Sequence, residues 1–126
     1  MSTQEETLSL GQRRARHAWE AIKSAKDRNR EELRSLVRRV PSLIRTNGFG
    51  QTIAFLASKK QNEHEWLLGQ LTDWLLSKSG FFSPVKTISL LEWLTTEATM
   101  YDYRRATAEA LEYLRWLKRF AEAELS

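Results

Sequence analysis

Apolar residues recur every three or four positions through most of the chain. No stretch sustains the alternation of apolar and polar residues that is typical of a strand. The spacing therefore predicts an all-α fold. The first helix is expected to run from Leu10 to about Asp27, and its apolar face comprises Ala15, Ala18, Trp19, Ile22 and Ala25.

Prolines, glycines and small polar residues indicate where the next helices end. The second helix buries Leu33, Leu36, Val37 and Val40. Pro41 is expected to begin a new short helix, because the missing N–H of proline would be unpaired in a first turn anyway. The pair Asn47-Gly48 tolerates the left-handed conformation of a helix end, and a third helix is predicted over Gln51–Ser58.

The remaining boundaries predict three further helices. Asn62 with Glu65 resembles a capping box at the start of a helix over Glu63–Leu76, which Ser79-Gly80 ends. Ser83-Pro84 marks the start of the next helix, which carries Ile88, Leu91, Trp93 and Leu94. The last helix should run from about Thr96 to Glu124, with an inward stripe of Met100, Tyr103, Ala110, Leu114, Leu117 and Ala121. We therefore expect a single helical domain over residues 1–126, a compact bundle of five to seven helices.

Composition narrows the class of protein. The 126 residues include no cysteine, which excludes disulfides and thiolate sites and is consistent with a reducing compartment. The N-terminal residues lack the basic start and apolar core of a secretory signal. No apolar run approaches the ~20 residues that cross a bilayer. We expect a cytoplasmic protein without a membrane partner.

Charge is distributed unevenly between the two halves of the chain. Residues 1–60 contain 13 Lys and Arg against 6 Asp and Glu, whereas residues 61–126 contain 7 against 10. The total of +4 thus combines a strongly basic half with a mildly acidic one. This asymmetry fits either a face turned toward a polyanion or an ordinary solvated basic surface.

Residues that could support catalysis do not cluster. The two histidines, His17 and His64, lie far apart in the sequence, and both are interpreted as surface residues. Side chains on consecutive helical residues point about 100° apart, so Glu63 and Glu65 cannot close around a metal with His64. Gly48-Phe49-Gly50 lacks the preceding strand of a phosphate loop and is interpreted as a helix-ending turn. We expect no enzyme activity, metal or cofactor.

Basic residues form rows that are more informative. Arg30, Arg34 and Arg38 recur every fourth residue and so share one face of the second helix, where like charges repel by a few tenths of a kcal/mol per pair. Such a row either disperses its charge into solvent or meets an anion. Cations also cluster off the apolar stripe of the last helix, namely Arg104, Arg115, Lys118 and Arg119.

The chain has five tryptophans. Four of them, Trp19, Trp74, Trp93 and Trp116, repeat at core-like spacing and are assigned to packing. A role in base stacking would require exposed rings within a groove.

Three blocks in fixed order carry a resemblance to a known family, beginning with Arg16–Trp19. They are Val40–Lys59 (VPSLIRTNGFGQTIAFLASK), Tyr103–Leu111 (YRRATAEAL) and Tyr113–Ala123 (YLRWLKRFAEA). Together they resemble the small-subunit family of the type III-B CRISPR effector, the Cmr complex of antiviral defence. The segment Ser77–Lys86 matches nothing in the family pattern, so the role of Phe81-Phe82, buried or docking a neighbouring subunit, is open.

The resemblance implies a small helical bundle that stacks head-to-tail along the inner side of a filament. The implied partners are guide RNA, target RNA, the backbone and large subunits of the Cmr complex, and neighbouring copies of the chain. The subunit would help to hold the RNA duplex without cleaving it, through phosphates rather than bases, because the target sequence changes with every guide. The residues expected to bind RNA are Arg38, Arg45, Lys59, Lys60, Arg104, Lys118 and Arg119, with Arg30 and Arg34 as weaker additions.

A different interpretation of the same residues is a helical protein–protein adaptor. Its basic faces would bind acidic partners rather than RNA, and its incorporation into an assembly would survive removal of those charges. A hydrolase or nuclease would instead require a clustered metal or acid–base site, which the sequence does not reveal.

Overall fold

Six helices make up the regular structure of residues 8–25, 30–82 and 89–125, the parts of the chain that the computed structural model describes. They are α1 (Leu10–Ser24), α2 (Arg30–Asn47), α3 (Phe49–Lys59), α4 (Asn62–Thr72), α5 (Leu90–Thr96) and α6 (Met100–Glu124). A π-helical segment, Asp73–Lys78, directly continues α4. The predicted all-α bundle of five to seven helices is confirmed for the described residues.

The long helix α6 is the centre of the bundle. Its 25 residues pack against α1 on one side and α2 on another, while α3 packs against α2, α4 and α5. The buried face of α6 repeats at three- and four-residue spacing, as expected for an amphipathic helix. This face comprises Ala106, Glu109, Ala110, Tyr113, Leu114, Leu117 and Ala121.

Pro41 lies inside α2, so the predicted break at this residue is wrong. A proline within a helix removes one backbone hydrogen bond and crowds the preceding turn. The apolar face nevertheless continues through it, because Val40 and Ile44 are buried on either side of Pro41. Burial of this continuous face offsets the local cost of the proline.

The turn predicted at Gly48-Phe49-Gly50 is confirmed at Gly48 alone, because Phe49 and Gly50 already belong to the next helix, which begins two residues before the predicted Gln51. Gly48 adopts φ 91°, and α3 begins at Phe49. The backbone N–H of Gly50 donates a 2.7 Å hydrogen bond to the hydroxyl of Tyr103 on α6. A Cβ atom at this position would lie 2.9 Å from the same hydroxyl oxygen. A larger residue at position 50 would therefore displace the Tyr103 hydroxyl and disturb this hydrogen bond.

Two helix starts differ from the sequence prediction. Asn62 is the first residue of α4 rather than its cap, and the side chain of the capping residue, Gln61, makes no hydrogen bond to the first turn. The last helix begins at Met100 instead of Thr96, because Thr99 and Asp102 form a capping box there. Met100 consequently lies in the first turn, 74% exposed, and does not belong to the inward stripe.

The region before α5 is partly described. Ser83-Pro84 and Ile88 lie outside the described residues, and α5 begins at Leu90 with Ser89 as its cap. Phe82 is buried and its ring centroid lies 4.8 Å from that of Trp93. Phe81 is half-buried beneath the guanidinium of Arg105. Phe82 is therefore buried, which is one of the two roles left open for this pair; the other was docking of a neighbouring subunit.

Candidate nucleic-acid interface

The exposed face of α6 carries a line of cations. Arg104, Arg115 and Lys118 are all exposed. At 3.6 residues per turn these side chains fall within about 60° of one another, along roughly 21 Å of helix axis. Residues on the opposite face are held in the core, so the cationic face has a fixed orientation toward solvent.

The C-terminal half of this face forms a shallow groove of about 340 Å³. Its lining residues are Glu112, Arg115, Trp116, Lys118 and Arg119. The structure therefore brings two of the predicted RNA-binding residues, Lys118 and Arg119, together.

A second groove, of about 550 Å³, lies along the N-terminal half of α2. Arg38 lines it with its neighbours Arg34 and Arg39, and acidic residues, including Glu31 and Glu63, lie on its walls. The mixed lining makes this groove less clearly basic than the one on α6.

The other predicted residues lie at helix ends or alone. Arg45 is exposed in the last turn of α2. Lys59 ends α3 with its Nζ atom 5.3 Å from the centre of the Phe55 ring, and Lys60 follows in the left-handed conformation, at φ 58°. Arg104 is exposed on α6, eleven residues before Arg115. Neither of the two grooves contains these four residues.

Local carboxylates do not neutralise the α6 cations strongly. Arg115 lies 3.6 Å from Glu112, and Arg119 lies 3.8 Å from Glu122. The arginine side chains of these pairs are 73% and 80% exposed. Exposed pairs of this kind contribute about 0–1 kcal/mol, so the guanidinium groups can exchange their partners for another anion at little cost.

The tryptophans divide into two classes. Trp74 and Trp93 are 1% and 3% exposed, which confirms their assignment to the core. Trp19 and Trp116 are 37% and 39% exposed, so they pack at the border of the core rather than within it. Both rings contact Phe120, with centroids at 5.2 Å and 5.4 Å. Amphipathic spacing alone cannot tell a core tryptophan from one at the border of the buried stripe.

A buried ion pair joins α1 to α6. The Arg14 guanidinium donates to both carboxylate oxygens of Glu109, with its Nη2 atom 2.8 Å from Oε1. The indole N–H of Trp74 donates to the same carboxylate at 2.9 Å. Glu109 was not singled out in the sequence analysis. Its position on the buried stripe, between Ala106 and Ala110, was the signal of this role.

His17 lies beside this ion pair and is not a surface residue. Its side chain is 14% exposed, with Nδ1 2.6 Å from the Tyr113 hydroxyl and Nε2 2.8 Å from the Asp73 carboxylate. Burial raises the pKa of the Tyr113 hydroxyl well above its ordinary value, and the charge of Asp73 adds to the rise. With the Tyr113 hydroxyl donating to Nδ1 and the Nε2–H group donating to Asp73, all three groups are satisfied.

Asp73→Asn is expected to destabilise the protein at neutral pH, by about 1 kcal/mol or less because the carboxylate is half-exposed. Burial raises the pKa of Asp73, but hydrogen bonds from His17 and Lys78 outweigh it and hold the pKa below its ordinary value. A carboxylate whose pKa is lower in the folded protein than in the unfolded chain stabilises the fold at pH values above the pKa of the unfolded chain. This contribution is lost as the pH falls through the pKa of the folded protein. Urea midpoints of the two proteins should therefore converge between pH 7 and about pH 3. A difference that grows toward acid would contradict this account.

His64 also differs from its interpretation as a solvated residue. It is 5% exposed, its ring packs against Phe55, and neither ring nitrogen has a hydrogen-bond partner among the residues that the structure describes. The Nδ1 atom lies 3.4 Å from a Glu63 carboxylate oxygen. Packing of α4 onto α3 buries the ring.

Over residues 8–25, 30–82 and 89–125, no group of three or more metal-ligating side chains is close enough to hold an ion. In the same residues, no helix has both the length and the apolar character that a membrane crossing requires.

Comparisons with known proteins agree with the fold. A family model described as CRISPR-associated protein (Cas_Cmr5) matches residues 10–124. The chain is 32% identical over 110 residues to the CRISPR system Cmr subunit Cmr5 of Thermus thermophilus, covering 86% of this chain and 90% of that relative. It is also similar to the crystal structure of a CRISPR-associated Cmr5 family protein from the same organism. That comparison gives a TM-score of 0.79 at 29% identity, covering 95% of this chain and 100% of the other.

Proposed function

Because the chain belongs to the Cmr5 family of CRISPR-associated proteins, we propose that it is a non-catalytic structural subunit of a type III-B Cmr ribonucleoprotein. In this role it holds the guide and target RNA through sequence-independent contacts to phosphates. Its partners are the two RNAs, the backbone and large Cmr subunits, and neighbouring copies of itself stacked along the inner filament.

The observation that carries this proposal is the exposed cationic face of α6. Arg104, Arg115 and Lys118 extend along one helix whose opposite face is fixed in the core. Lysine and arginine heads can contact phosphates along a nucleic acid without reading base edges. A subunit that must accept any guide sequence requires this kind of contact.

The two exposed tryptophans favour a second candidate function, a protein adaptor. Trp19 lies on α1 with the Nζ atom of Lys23 5.2 Å from the centre of its ring. Large aromatic residues are enriched where proteins meet. In this alternative the basic faces bind acidic partner surfaces. Crosslinking of the assembled complex to its RNA separates the two functions, since only the first places α6 against RNA.

Lys59→Ala combined with Lys118→Ala is expected to weaken RNA binding by the full chain about equally for all sequences. Each lost phosphate contact should reduce the slope of log affinity against log salt by about 1. The slope for the double variant should thus fall by about 2. Titration of several unrelated RNAs at a series of salt concentrations measures both effects.

Arg16→Ala with Lys23→Ala provides a control of equal charge. Both residues are exposed on α1 and lie outside the predicted set. This variant should retain most of the affinity and the slope of the native chain. A large loss for one RNA sequence and none for others, or equal losses in the two double variants, would contradict specific phosphate contacts at Lys59 and Lys118.

A further inference from the structure

We infer that the groove on α6 stacks an unpaired nucleobase on Trp116 while the surrounding cations hold the adjoining phosphates. This inference rests on the proposed function and names the kind of RNA that this part of the surface takes. It assigns the groove to single-stranded RNA, at a loop, an end or a flipped-out nucleotide, rather than to the duplex.

The first step is the exposure of the ring. Trp116 is 39% exposed, although burial of a tryptophan removes a large apolar area from water. The ring is held in place, since its centroid lies 5.4 Å from that of Phe120 and the two planes are tilted by 31°. Phe120 in turn meets Trp19 at 75°. Trp116 is thus a positioned aromatic surface that lines a groove.

The second step is the charge around the ring. Arg115, Lys118 and Arg119 line the same groove, and among the described residues Glu112 is the one carboxylate that lines it. Glu112 lies 3.6 Å from Arg115, so it opposes part of the positive charge without cancelling it. An exposed aromatic ring within a positively charged groove is the combination that binds single strands.

The third step is the size of the groove. A volume of about 340 Å³ is at the small end of ligand sites, which is large enough for one nucleotide. Stacking is also tolerant of sequence, because every base presents a π-face. Stacking on Trp116 is therefore compatible with a subunit that must accept any guide.

The test is Trp116→Leu in the full chain, which removes the ring but leaves an apolar side chain against Phe120. Affinity for a short oligouridine should fall roughly five- to a hundredfold. Affinity for an abasic oligomer with the same number of phosphates should not change. A 2-aminopurine base in the RNA, whose fluorescence is quenched by stacking, should be quenched by the native chain and much less by the variant.

Trp19→Leu is the control, because Trp19 is 37% exposed and contacts the same Phe120 ring but does not line the groove. This substitution should change neither the affinity for oligouridine, nor the affinity for the abasic oligomer, nor the quenching of 2-aminopurine. Thermal unfolding of both variants shows whether either substitution disturbs the fold. Loss of oligouridine binding in Trp116→Leu at an unchanged unfolding midpoint supports stacking.

Equal losses of affinity for oligouridine and the abasic oligomer in Trp116→Leu, or no loss for either, would overturn base stacking on Trp116.

The double variant Lys118→Gln with Arg119→Gln then tests the proposed function separately. If this charge variant still loses affinity and salt dependence, phosphate binding stands and only the stacking fails. If it changes neither, the phosphate contacts on α6 fail as well. Failure of Trp116→Leu to join the other Cmr subunits, with RNA binding intact, would assign the groove to a protein partner.

Discussion

Glu109→Ala is expected to lower the free energy of unfolding by about 3–5 kcal/mol. The substitution leaves the Arg14 guanidinium, which is 14% exposed, without its carboxylate. It also removes the acceptor of the indole N–H of Trp74, which is 1% exposed. Uncompensated buried polar groups of this kind are among the most costly results of a single substitution. Urea denaturation measures the change, and the thermal midpoint should fall on the order of 10–20 °C.

Glu112→Ala, one turn further along α6, is the appropriate comparison. Glu112 is 50% exposed and pairs with the exposed Arg115. Its removal should change stability by less than about 0.5 kcal/mol. Similar effects of the two substitutions would show that the bonds among Arg14, Glu109 and Trp74 do not hold α1 and the π-helical segment against α6.

Gly48→Ala is expected to cost about 1–3 kcal/mol through backbone strain. Gly48 adopts φ 91° and ψ 160°, a combination that is essentially restricted to glycine. A Cβ atom at this position would meet nothing within 4 Å, so crowding does not contribute to the cost. The loss of stability would therefore report only the conformation of the link between α2 and α3.

Gly69→Ala distinguishes this strain from the general effect of adding a methyl group. Gly69 is exposed within α4, and a Cβ atom there would also have free space around it. Alanine at a helical position should raise stability by about 0.5–1 kcal/mol. Opposite signs at the two glycines, measured by urea denaturation, are the expected result. A stabilised Gly48→Ala variant would contradict the positive-φ turn.

Helical periodicity predicted the bundle well because burial on one face determines most of it. The exceptions have local causes. The proline rule predicted a break at Pro41, whereas packing on both sides of it keeps α2 continuous. Thr96 was assigned to the last helix, and Met100 to its inward stripe, because periodicity carries no information about which of several polar residues caps the helix. The capping box at Thr99 decides that boundary.

The site was less predictable than the fold. The sequence identified Lys118 and Arg119 as candidate RNA ligands, and the structure places them in one groove. Their contact with RNA stays a prediction. Sequence could not reveal that His17 bonds Asp73 and Tyr113, because these contacts join residues 56 and 96 positions apart. Nor could periodicity show that Trp116 is exposed, since it lies at the edge of the buried stripe.

The π-helical segment Asp73–Lys78 has a consequence for how relatives of this chain should be compared. A π-helical turn holds one residue more than an α-helical turn and rotates everything after it by about 100°. Asp73 and Trp74 stand at its start and reach His17 and Glu109. A homologue that is one residue shorter here would keep these two partners but present its following side chains in another direction. An alignment gap in this segment would therefore mark a changed orientation of the side chains that follow, including the buried Leu75 and Phe82.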